Sequence, residues 1–148
     1  MIELKINNPN ALPKMHKDLE DAFQEGIKQG MQAIGMHLVN VIKKDIKKKS
    51  PNSTRGKRRG KNVWVSPAGE SPNNDTGGLT SSMMYELMGN NDEVLVGTTL
   101  NYGRYLEEGT SKMAQRPYIK KNALEQEDRM AEILTESIQK QIERMGRG

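Results

Sequence analysis

A chain of 148 residues fits one domain around a single hydrophobic core and leaves no room for a second full domain. Hydrophobic residues make up 34% of it and aromatics 4%, against roughly 45–50% apolar residues in ordinary globular proteins, so the core is thin and partner chains are expected to help cover it. The net charge of +4 is unevenly spread, and the lack of cysteine excludes disulfides, Cys-type zinc sites and thiol nucleophiles. Ten methionines against one Phe and one Trp either stand in for leucine or give surfaces that adapt to a neighbour. No run approaches the ~20 apolar residues of a membrane span. The opening Met1-Ile2-Glu3-Leu4-Lys5 lacks the basic-then-apolar order of a signal peptide, so the expected location is the cytoplasm.

Taken in chain order, Leu12, Met15, Leu19, Phe23, Ile27, Ile34, Leu38 and Val41 recur at helical steps and predict an amphipathic helix from about Pro13 to Lys48. At ~1.5 Å per residue it is roughly 50 Å long, more than a domain of this size covers alone. Gly26, Gly30 and Gly35 weaken it, which points to close helix packing or a bend there, and Ser50-Pro51 ends it. Asn52 to Gly78 is rich in Gly, Pro, Ser, Asn and basic residues and predicts a long flexible loop, basic at about 50–75, with at most one short strand at Val63-Trp64-Val65. Leu79 to Met88 reads as a helical turn capped by Asp75 or Thr76 that becomes extended around Met84-Tyr85-Glu86-Leu87. With the turn Gly89-Asn90-Asn91-Asp92 and the strand Glu93 to Thr98 it forms a β-hairpin, which needs a helix against one face.

Asn101 to Glu108 has room for a turn or two of helix closed by Gly109. Pro117 then starts a second long helix, marked by Ala123, Leu124, Ala131, Leu134, Ile138, Ile142 and Met145, running to Gly146. The expected fold is a single α+β domain over 1–148: a long N-terminal helix, a small antiparallel sheet (a hairpin plus a possible extra strand) and a long C-terminal helix, both helices on one side of the sheet.

A search for catalytic chemistry finds little. His16 and His37 lie about six turns apart on one helix, too far to share a metal or a proton. Gly56-Lys57-Arg58-Arg59-Gly60-Lys61 lacks the spacing and the following Ser or Thr of a phosphate-cradling loop. Glu107 and Glu108 are adjacent and do not face one another on a helix. No nucleophile elbow or Ser-His-Asp order is present. The expectation is a protein without catalytic residues, cofactor, metal or small-molecule substrate.

The segment Tyr102-Gly103-Arg104-Tyr105-Leu106-Glu107-Glu108-Gly109-Thr110, continued by Arg116-Pro117-Tyr118-Ile119, gathers tyrosines and arginines of the kind that anchor interfaces. A packing account stands beside that one: Tyr102, Tyr105 and Leu106 hold the turn on the sheet, Gly109 caps a helix and Pro117 begins the next. The segment resembles the signature of the tail-component family of long-tailed bacteriophages, Tyr-Ala-x-Tyr-x-Glu-x-Gly-Thr followed by Pro-Phe-x-x-x-Ala. The matching residues are Tyr102, Tyr105, Glu107 or Glu108, Gly109, Thr110, Pro117, Tyr118 and, a little later, Ala123. Upstream, Ser66-Pro67-Ala68-Gly69-Glu70-Ser71-Pro72 and Asp75-Thr76-Gly77-Gly78-Leu79 look like the family's Pro-Gly-Glu-Pro loop and the Asp-Thr-Gly-x-Leu stretch after it. Gly103 stands where the family has Ala, Tyr118 where it has Phe, and Ala68 interrupts the Pro-Gly pair.

The resemblance implies a structural role in virion assembly at the head–tail junction or the tail end, as a neck or tail-completion protein of a phage or prophage. Subunits would join in a homo-oligomeric ring, dock on head-closure or connector proteins and on tail proteins, and move from the host cytoplasm into the virion. Lys43 to Lys61 holds ten of the 23 Lys and Arg residues and one acid, Asp45, so the segment carries +9 and the rest sums to −5. Its Arg55, Lys57, Arg58, Arg59 and Lys61 are expected to face DNA in the channel or to dock on an acidic neighbour. The alternative function is a small basic nucleic-acid-binding protein that uses the 43–61 tract directly.

Overall fold

The computed structural model describes residues 10–147, so the Met1 to Lys5 opening lies outside the described residues. The first helix, α1, runs Ala11–Lys47, 37 residues or roughly 55 Å, as the periodicity predicts. Lys44 and Lys47 lie in its last turn, where cations oppose the negative end of the helix dipole.

After α1 the sequence predicts at most one short strand, and this is corrected: β1 (Thr54–Arg58) and β2 (Lys61–Val65) form a separate two-stranded antiparallel sheet. Arg59 and Gly60 both adopt positive φ, 49° and 75°, the two-residue turn whose twist suits a tight hairpin. Because β1 is built of Thr, Arg, Gly and Lys, it carries none of the apolar alternation by which a strand is read from sequence.

The short helix α2 (Gly78–Ser82) leads directly into β3 (Met83–Met88), which pairs antiparallel with β4 (Glu93–Thr98), the predicted hairpin. Its expected cap is corrected: the residue preceding α2 is Gly77, with no side-chain cap, while Asp75 turns away to pair with Arg58. Next comes α3 (Asn101–Glu108), followed by Gly109 at φ 77° and ψ −179°, a conformation open essentially to glycine. A Cβ there would also lie 2.9 Å from the Gln115 amide nitrogen.

The C-terminal helix is broken where the sequence predicts a continuous one. Segment α4 (Lys120–Glu125) and segment α5 (Glu127–Gly146) meet at Gln126, whose φ of −107° and ψ of 8° leave helical geometry. Gln126 Oε1 lies 2.7 Å from His37 Nε2 on α1, so the break is fixed by a contact far away in sequence.

Sheet β3–β4 packs one face on α1, whereas α5 packs on α1 itself. The glycines of α1 divide this labour. A Cβ at Gly26 would sit 2.6 Å from the Ile138 Cα, and at Gly30 2.8 Å from the Leu134 side chain, so these two let α5 approach closely. Gly35 instead accommodates the ring of Tyr85 on β3. Gln141 on α5 donates to Gln29 on α1 at 2.8 Å, which satisfies a largely buried amide in this seam.

The hydrophobic core is small, as the composition implies: Val39, Ile42 and Ile46 of α1, Leu79 of α2, Met83 of β3 and Tyr118, flanked by Tyr85, Val96, Leu106 and Ile119. All of it gathers at the C-terminal half of α1. The other half of the helix runs out beyond the core.

Candidate functional site

The residues of the signature segment divide into those that hold the fold and those that face outward. Glu107 belongs to the first group. From the last turn of α3 its carboxylate accepts backbone N–H groups of Tyr118 (2.8 Å), Ile119 (2.9 Å) and Lys120 (2.8 Å). These are amides that the start of a helix leaves without intrahelical acceptors, so Glu107 caps α4 from a different element. That bond explains why α4 begins at Lys120, three residues after Pro117. Glu108 has another position: it is exposed and pairs with Arg104 one turn earlier at 2.9 Å. The family's single glutamate therefore corresponds by structure to the capping residue, Glu107.

Tyr118 is fully buried in the core, and its hydroxyl donates to the Gly103 carbonyl at 3.2 Å. Burial first, and then the nearby Glu107 charge, push the phenol far above its ordinary range, so the hydroxyl keeps its proton. A Cβ on Gly103 would lie 2.8 Å from that hydroxyl and would also strike the Thr98 methyl. The two places at which this segment departs from the family pattern are thus in contact, the hydroxyl gained at 118 filling space beside the methyl missing at 103. Leu79 closes the same cluster, so the Asp75–Leu79 stretch and the Tyr102–Tyr118 stretch meet in the core.

Other members of the segment tie the loops together. The Arg116 side chain donates from Nε to the Ser66 carbonyl at 2.9 Å, and its backbone N–H reaches Leu106 O at 2.6 Å. The Ser71 hydroxyl donates its one proton to Asp45, with the Pro117 carbonyl 3.3 Å away as a second acceptor for it. Thr110 bridges to Met113 in a tight turn. The sequence reading missed Asp45, which accepts from Ser71 and, at 2.8 Å, from Asn122 Nδ2 and so pins loop and α4 to α1. It also missed Asn73, which binds the Ser50 amide, Ser53 and the Trp64 carbonyl. Only an acid amid ten cations hinted at Asp45.

Facing outward are Asp75, Thr76, Tyr102, Arg104, Tyr105 and Glu108. An open cleft of about 490 Å³ lies between β4, α3 and the start of α4, with Thr98, Asn101, Tyr105, Glu107 and Glu108 on its walls. Both of its carboxylates are engaged, Glu107 with three amides and Glu108 with Arg104. Among the described residues no three His, Asp or Glu side chains converge as metal ligands would, and no helix is long and apolar enough to cross a membrane.

The basic residues form a second, separate surface. Arg55, Lys57, Arg58, Arg59 and Lys61 are all exposed on the β1–β2 hairpin. Arg58 forms a salt bridge to Asp75 at 3.1 Å, which joins the hairpin to the signature residues.

No curated protein and no solved structure is significantly similar to this chain. Residues 10–109 do match a protein family, described as "Bacteriophage HK97-gp10, putative tail-component". The match takes in α1, both hairpins and α3 up to Gly109, well over half of the 148 residues. The chain therefore belongs to the HK97 gp10-like family of bacteriophage tail components.

Proposed function

We propose that this protein is a non-enzymatic assembly component of the virion at the phage head–tail junction or tail end, where copies join in a ring and dock on neck and tail proteins. The observation that carries the reading is the exposed N-terminal stretch of α1, ahead of the seam where α5 closes on Gly26 and Gly30. Leu12, Met15, Leu19 and Phe23 lie along one helical stripe and are 54%, 58%, 43% and 44% exposed, beyond the reach of the core. An apolar stripe of this length is costly to leave in water and marks a surface that a partner covers.

The partner we assign is a second copy. The outer face of β3–β4 carries a different exposed apolar set, Met84, Met88 and Leu95, at the opposite side of the sheet from α1. A subunit with two distinct apolar surfaces makes head-to-tail contacts, and such contacts close into a ring when the rotation allows. Tyr102 and Tyr105, exposed beside the cleft, suit contacts with neighbouring neck or tail proteins. Synthesis in the host cytoplasm and incorporation into the virion follow from that role.

Removing the gene from the phage or prophage that encodes it tests the reading, with particles inspected by electron microscopy. Unjoined heads and tails, or tails with defective ends, are expected. Normal infectious virions without the protein would overturn the proposal.

A further inference from the structure

The basic tract is not a loop but a ribbon, and its register sorts its charges. Directly opposite residues of an antiparallel pair share a face. Arg55 with Trp64 and Lys57 with Asn62 therefore lie on one side, and Arg58 with Lys61 on the other. Arg59 stands at the turn. The ribbon has little contact with the other elements, and is tied at its base by Asn73 to the Trp64 carbonyl at 3.1 Å.

Trp64, the only tryptophan of the chain, is 46% exposed and already holds cations. The Lys49 ammonium sits 3.1 Å from its ring centroid and the Arg55 guanidinium 5.5 Å. Among the described residues Lys57, Arg59 and Lys61 form no ion pair. The single acid of the tract, Asp45, is spent on Ser71 and Asn122. Lys49 and the ribbon thus present five cations with no acid partner among the described residues: Lys49 and Arg55 over the Trp64 ring, Lys57 on the same face, Arg59 at the tip and Lys61 on the opposite face.

A specific protein interface needs an apolar centre that excludes water and is depleted in lysine, and this ribbon has neither property. Phosphate contacts require only cations that reach into solvent, and they tolerate water. Residues 55 and 57 stand about 6.6 Å apart along the strand, of the order of the step between neighbouring phosphates of one nucleic-acid strand.

We propose that the β1–β2 hairpin is a DNA-contacting arm, in which Lys49, Arg55, Lys57, Arg59 and Lys61 neutralise backbone phosphates of duplex DNA without reading its sequence. Trp64 holds two of these cations in place. The inference stands independently of ring assembly, because a monomer carries the whole arm.

The test is titration of the full chain with random-sequence duplex DNA over a series of salt concentrations, read by DNA anisotropy and by Trp64 emission. Since each neutralised phosphate contributes about 0.9 to the salt slope, five contacts give a slope near −4 to −5. Lys57→Gln/Arg59→Gln/Lys61→Gln should lower the slope by roughly 3 and weaken low-salt binding at least about tenfold, with circular dichroism unchanged. Trp64 emission should change on binding. An unaltered slope in the triple variant, an unmoved Trp64 signal, or tighter binding to polyglutamate than to DNA of equal charge would overturn it, the last in favour of an acidic protein partner. Sedimentation of the same samples separates the two proposals: failure to associate strikes the assembly reading alone, and loss of DNA binding strikes this one alone.

Discussion

Replacing Glu107 by alanine removes a side chain that ties α3 to the start of α4 through three backbone amides. The Tyr118 and Ile119 amides are partly buried, so water does not fully replace the carboxylate there, while the Lys120 amide is exposed and readily hydrated. Leaving a buried donor without its acceptor costs about 1–3 kcal/mol, so two such donors give about 3 kcal/mol once partial hydration is allowed for. At about 2–4 °C per kcal/mol for a chain of this size, the melting midpoint should fall by roughly 6–12 °C. Glu107→Gln keeps an acceptor oxygen but loses the charge, and should cost about half as much. Glu108→Ala is the control, because its carboxylate meets only the exposed Arg104, and its midpoint should not move. Thermal unfolding followed by circular dichroism reads all three variants, and hydrogen exchange at Tyr118 to Lys120 should accelerate in the first. If Glu107→Ala and Glu108→Ala shift the midpoint equally, the capping role of Glu107 is wrong.

Gly103→Ala should destabilise by about 1–3 kcal/mol in chemical denaturation despite the better helix propensity of alanine, because its methyl meets the Tyr118 hydroxyl and Thr98. Combining it with Tyr118→Phe should recover part of that loss, and a strictly additive double variant would show that the two positions are not coupled. Gly26→Ala should cost a comparable amount by forcing α5 away at Ile138, read by the same denaturation; a stability gain would contradict the close helix contact. Tyr118 also sets an alkaline limit. Its folded pKa is raised above the unfolded value near 10, so the stability it contributes is complete below about pH 10 and is lost as pH rises further. The tyrosinate absorbance of Tyr118, taken as wild type minus Tyr118→Phe, should appear together with unfolding, and its appearance in a still-folded protein would refute that burial. Leu19→Glu/Phe23→Glu should abolish self-association in sedimentation without loss of helix, and persistent association would remove α1 from the subunit contact.

The sequence by itself determined the elements whose signal is local. The apolar steps from Leu12 to Val41 marked α1, the alternation around Val94 to Val96 marked β4, and Gly109 marked the end of α3. The family was legible too, because its motif includes residues tied to local geometry and packing: Gly109 holds a conformation open essentially to glycine, and Leu79 and Tyr118 sit in the core. Tertiary structure decided what depends on pairs distant in the chain. Strand β1 exists because Arg59 and Gly60 turn it back onto β2, not because its own residues favour a strand. The break at Gln126 is set by His37, and the role of Glu107 by where the amides of Tyr118 to Lys120 come to rest. The Tyr-x-Glu-x-Gly spacing falls on Glu107, but spacing along one helix does not say what that carboxylate holds. Only the return of the chain after Pro117 brings three unsatisfied N–H groups to Glu107 and leaves Glu108 in water.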